Sequence, residues 1–286
     1  MKGRQFGRIK SDKELEALIR NKVIAERRKL KEKDLVTKSS IVEHYGLELD
    51  FCPLGVRDGM LVDNKKIVLN SLLRQEERLN FTFYHELTHY FINSDDELLS
   101  NIHECSGNID ETIEKLCNCG AAELLLPNEE ILNAITEHGF TVTLLPSFCG
   151  EYSVSSIAAG IQMVRCALHN CYLVIANLVS IESDSIQMSF ERQENVPQFQ
   201  LSVTYSASSS NAKYRITRTT PIPQTHAIWK AYAEQTHVIE EKSYVPFRSG
   251  KKLPAKCDAL YFRGQVIAIL NVDNIIVLNP NQLRLL

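Results

Sequence analysis

Apolar residues first fall into a helical rhythm at Leu15, Leu18, Ile19 and Val23, after Ser11-Asp12-Lys13-Glu14 in capping-box order. This predicts an amphipathic helix over 12–32. A short helix from Ser39/Ser40 to Tyr45 should stop at Gly46. Alternation at Leu47, Leu49 and Phe51 predicts a strand, and Met60–Val62 and Ile67–Leu69 flank a turn sequence as a hairpin would. A helix over 77–93 comes next, then a polar loop over 94–109. The stripe Ile113, Leu116, Cys117, Gly120, Ala121 and Leu124 marks a helix over 111–125, stopped by Pro127. Asn128 opens a helix that Gly139 ends, with further helices expected at 141–148 and 155–168. Beyond Cys171 the rhythm changes to strands at 172–180, 186–191, 199–206, 213–219, 256–263 and 265–272, with a helix near 226–235. The fold class is therefore α+β. Boundaries fall near 127 and 178, giving units over 1–127, 128–178 and 179–286.

The apolar fraction, 44%, and the charged fraction, 23%, suit a globular chain and argue against disorder, collagen repeats and a coiled-coil rod. No apolar leader opens the sequence, and no stretch approaches the roughly 20 residues of a membrane span, so a cytoplasmic protein is expected. Eight cysteines then read as thiols. The net charge of −3 hides an asymmetry: residues 1–38 carry +7, leaving −10 for the rest. The possible helix-turn-helix at 128–170 holds one cation, Arg165, against four acids. A DNA reader neutralises several phosphates, so direct sequence-specific DNA binding is not expected. The basic cluster from Arg27 to Lys33 reads as a solvated helix face, and Phe247–Lys252 as a basic surface turn.

The sharpest chemical signal is His85-Glu86-Leu87-Thr88-His89. Positions i and i+4 share a helix face, so His85 and His89 can bind one cation together. Glu86 stands beside that face, where it can take a proton from water that zinc has acidified. Flanking Phe81, Phe83, Tyr84, Leu87, Tyr90, Phe91 and Ile92 predict a largely buried helix, where ionisable groups are costly unless paired or metal-bound. A catalytic zinc needs a third protein ligand. Glu114 is 25 residues beyond His89 on the next helix, and Asn118, one turn on, can accept from a ligand imidazole N–H. Glu111 and Glu123 are rivals for the ligand position. A cysteine site from Cys117, Cys119, Cys105 and His103 is disfavoured, because C-x-C on a helix points two ways; packing suits those thiols better.

The run Asn80–His89, with Glu114-Lys115-Leu116-Cys117-Asn118-Cys119-Gly120-Ala121-Ala122-Glu123-Leu124-Leu125-Leu126-Pro127, resembles the IrrE/ImmA family of bacterial metallopeptidases. Leu126 departs from the usual Met before the Pro. The resemblance implies a gluzincin-like zinc peptidase domain, a helix-turn-helix-like domain and a GAF-like sensor domain, matching the boundaries above. It implies Glu114 as third ligand and Zn2+ as cofactor, with Mn2+ the other candidate. It implies that the substrate is a DdrO-like, XRE-type transcriptional repressor, whose cleavage releases DNA-damage and stress-response genes. His226 falls where the family brings a C-terminal-domain histidine toward the active site, implying a transition-state stabiliser; by its surroundings alone it reads as a surface histidine in a Pro-rich turn. Nothing in the sequence identifies a ligand for the sensor domain. The reading from another class is a non-proteolytic transcription regulator with a structural metal. Structural zinc sites usually close with four protein ligands, and Glu86 would then have no task.

Overall fold

The first amphipathic stripe folds as α1 (Asp12–Glu32) in the computed structural model, which describes residues 11–181 and 198–272. Ser11 caps the helix by accepting from the Glu14 N–H, and Leu15, Ile19, Val23 and Leu30 are buried. Thr37 and Ser40 form a capping box for α2 (Lys38–His44), and Gly46, at φ +67°, makes the left-handed turn beyond it. Strands β1 (Glu48–Cys52), β2 (Gly59–Val62) and β3 (Lys66–Asn70) form a sheet in the order β1-β3-β2. β2 and β3 are the expected hairpin, turned through Asp63 and Asn64, both at positive φ. β1 enters parallel to β3, so β2 is left at the sheet edge.

Three helices complete this unit: α3 (Glu76–Asn93), α4 (Asp96–Cys105) and α5 (Ile109–Leu125). The stretch expected as a loop over 94–109 contains α4. Asp95 caps it by accepting from the Leu98 N–H, and its buried side chains are Leu98 and Ile102. Two apolar positions one turn apart among polar neighbours give little periodicity, and the core they enter decides the outcome.

The other unit contains α6 (Asn128–His138), α7 (Leu144–Tyr152), α8 (Ser156–Cys166), β4 (Cys171–Ile181), β5 (Gln198–Ser208), α9 (Ala227–Glu234), β6 (His237–Pro246), β7 (Lys252–Phe262) and β8 (Gln265–Asn271). Contacts divide the chain after Pro127, except that Gly150–Ser155, the end of α7 and the link to α8, group with the first unit. The five strands run antiparallel in the order β5-β4-β8-β7-β6. Ala227, Ile228 and Ala231 of α9 pack with Tyr172, Val174, Cys257, Ala259 and Ala268 in this unit's core.

The boundary expected at 178 falls inside β4, and residues 128–149 group with the sheet. Buried Asp258 of β7 shows why: it accepts from the Val142 N–H before α7 and bonds the His237 ring at 2.6 Å. Gln265 of β8 likewise donates to Ser156 of α8. Residues 213–219, expected as a strand, form a turn in which the Thr220 hydroxyl donates to the Thr217 carbonyl. β6 went unread because charged residues interrupt it at Glu240, Glu241 and Lys242. The strand expected at 186–191 lies outside the described residues.

Candidate metal centre

α3 buries Phe83, Leu87, Phe91 and Ile92, which turns His85 and His89 together toward α5. Their Nε2 atoms are 3.2 Å apart. Glu114 of α5 reaches both, its Oε2 at 3.3 Å from His85 Nε2 and its Oε1 at 3.4 Å from His89 Nε2. The two imidazole nitrogens thus lie side by side, each facing a different oxygen of one carboxylate. Ligands about 2.0–2.1 Å from a tetrahedral zinc would lie roughly 3.3–3.4 Å apart, so these spacings suit such an ion. Burial pushes both histidines below their ordinary pKa against the upward pull of Glu114. Neutral rings with free lone pairs are what a cation requires.

Glu86 follows His85 on the buried side of α3 and is only 7% exposed. Burial, aided by the charge of Glu114, raises its carboxyl to about 7; a hydrogen bond from the Leu61 N–H of β2 opposes the rise. A carboxyl held there exchanges protons readily at neutral pH. Asn118 is within bonding range of the His85 ring, though His85 Nδ1 has no partner of good geometry.

The rivals are engaged elsewhere. Glu123 is buried against Arg20 at 2.7 Å, and Glu111 pairs with Lys115 at 2.7 Å while capping α5 with Asn108. Among the described residues, no metal-type cluster includes His103, Cys105 or Cys119. Cys117 is buried in the core as expected, yet its sulfur also lies within 4.8 Å of the ligand nitrogens of His85 and His89. Burial, with the charges of Glu114 and Glu86, pushes its thiol well up, which keeps it protonated.

Two glycines set the spacing around this centre. A Cβ on Gly120 of α5 would lie 2.5 Å from Thr88 Cγ2 of α3, so the helices meet only because the side chain is missing. A Cβ on Gly59 of β2 would meet Thr82 Cγ2 at 2.5 Å and Glu86 Cγ at 3.3 Å. These contacts bring Glu114 to the histidines and β2 to Glu86. A cleft of about 720 Å³ opens over His85, His89 and Glu114, lined by β2, the turn before it and the exposed sides of α3 and α5. A glycine inside the predicted 111–125 helix was the one sequence signal of this close approach.

His226 requires a correction. It is buried at the start of α9, where Nδ1 accepts from the Ile228 N–H and Nε2 bonds the Tyr244 carbonyl at 2.8 Å. Both ring nitrogens are thus committed within its own unit. It is not the surface histidine that its Pro-rich context suggested.

Residues 42–161 match the peptidase M78 profile, described as the IrrE N-terminal-like domain. Over 226 residues the chain is 34% identical to the radiation response metalloprotease IrrE of Deinococcus deserti, covering 78% of this chain and 76% of that protein. The chain belongs to the IrrE/ImmA family. Its IrrE counterpart in Deinococcus radiodurans is 32% identical over 232 residues, covering 80% of this chain and 70% of the relative. Membership makes this chain a metallopeptidase. A solved Mycobacterium tuberculosis transcriptional regulator shares the fold at a TM-score of 0.50, with 12% identity, over 94% of this chain and 87% of that one. Among the described residues no helix is long and apolar enough to cross a membrane.

Proposed function

We propose that this IrrE/ImmA member is a gluzincin-like zinc endopeptidase that cuts a DdrO-like, XRE-type repressor in the cytoplasm and so releases DNA-damage genes. The observation that carries the chemistry is the open grouping of His85, His89 and Glu114 with Glu86 alongside. Zn2+ there, or Mn2+, would polarise a substrate carbonyl and acidify water. Glu86 takes the proton from the attacking water and returns it to the leaving amine, a role suited to a carboxyl near 7. The edge strand β2 offers its unpaired side to an extended peptide, which would lie across the cleft. Asn118 steadies the His85 ring.

The radiation response named for both relatives supports a stress-linked substrate. In the same reading α6–α8 are helix-turn-helix-like and dock the repressor, while the sheet with α9 is a GAF-like sensor. The deciding experiment incubates the zinc-loaded chain and its Glu86→Gln variant with purified XRE-type repressors from the same genome. Cleavage of one repressor by the wild type alone is expected. Equal cleavage by both, or by neither, would defeat the reading and favour a structural metal.

A further inference from the structure

The turn that leads into β2 carries a charge the chemistry does not use. Asn70, buried, donates to the carbonyls of Gly55 and Arg57 and accepts from the Leu72 N–H. Asp58 is held by Arg78 through two bonds of 2.7 and 2.8 Å. The backbone of the turn is therefore fixed from both sides. On this fixed frame Val56 is fully exposed, and the exposed Arg57 guanidinium has no ion-pair partner among the described residues. Both line the catalytic cleft. A long cation left unpaired on a rigid rim is poised for a ligand, because the ordering cost of the backbone is already met.

The other end of β2 carries the opposite sign. Asp63 follows the strand directly, is exposed, lines the same cleft and has no ion-pair partner among the described residues. Asp58, next to Arg57 in sequence, is neutralised by Arg78. β2 itself, Gly59–Val62, spans roughly 13 Å at about 3.3 Å per residue, with Arg57 in the turn before it and Asp63 in the turn after it.

Resting on the peptidase reading, we propose that Arg57 and Asp63 make the cleft select peptides by charge polarity. An acidic side chain is taken by Arg57 at one end of β2, and a basic one by Asp63 at the other. Arg57 forms a charge-assisted bond to the carboxylate; Asp63 does the same for an ammonium or guanidinium. A segment of reversed polarity meets a like charge at each end.

The test digests a randomised decapeptide library with the full-length zinc-loaded chain and reads cleavage sites by mass spectrometry, with Glu86→Gln as the blank. Wild type should enrich Asp and Glu at one fixed subsite by about tenfold, the scale of one charge-assisted contact. Arg57→Glu should replace that preference with Lys and Arg at the same subsite, and Asp63→Lys should invert the preference at the far one. Both side chains are exposed and unpaired, so neither change threatens folding. Glu86-dependent cleavage with no acidic subsite, or with one that Arg57→Glu leaves intact, overturns the proposal while the peptidase reading stands. Absence of Glu86-dependent cleavage overturns both.

Discussion

Glu86 couples the chemistry to the stability of the fold. Its carboxyl is held near 7 in the native state, against an ordinary value of 4.5. Between those values the folded chain keeps a proton that the unfolded chain releases. The metal-free protein therefore loses stability as pH rises from about 4.5 to about 7. His85 and His89, held neutral by burial, act oppositely and cost stability as pH falls below 6.5. Comparison with Glu86→Gln isolates the carboxyl: in urea titrations of metal-free protein, the variant should gain about 1–3 kcal/mol on wild type between pH 4.5 and pH 8. A gap that stays constant with pH would refute this account. Asn118→Ala should weaken zinc binding about 10–100-fold in a competition titration with a chromogenic chelator. The meeting of His85 and His89, with Glu86 between them in sequence, was readable because helical geometry alone puts positions four apart on one face. Arg57 was not readable, nor was the approach of the Cys117 sulfur to the histidines, since which side chains meet in a cleft is decided by elements distant in sequence.

At the scale of elements, the centre depends on how closely α5 approaches α3. The Thr88 hydroxyl donates to the Tyr84 carbonyl at 2.7 Å, which fixes the methyl that faces Gly120. Gly120→Ala should cost about 1–3 kcal/mol in spite of the better helix propensity of alanine. It should also loosen zinc by drawing Glu114 away from the histidines. Adding Thr88→Ala should restore both, as read by thermal melting and zinc titration, because the clash is then removed. If the double variant is as damaged as the single one, the contact is not what sets the spacing. Long amphipathic helices and the β2–β3 hairpin were legible because period and turn chemistry agree within each segment. α4 and β6 were not, since each takes its structure from the partner it packs against.

For the whole molecule, the boundary after Pro127 was visible as a helix stop followed by a fresh helix start. The boundary at 178 was drawn on a change of rhythm that the chain crosses inside one strand. Its consequence is testable: residues 128–178 expressed alone should show no cooperative melt by circular dichroism, because β4 loses β5 and β8 and Val142 loses Asp258. A sharp transition in that fragment would restore the three-part division. The placement of all the proposed metal donors in two helices joined through α4 also has a consequence for synthesis. A ribosome adding about 5–20 residues per second delivers His85, His89 and Glu114 several seconds before the first strand of the larger sheet. On the proposed reading of this centre, the nascent chain can load its metal while the rest is still being made, and scarcity of that metal at that moment would leave a fully translated but catalytically silent population.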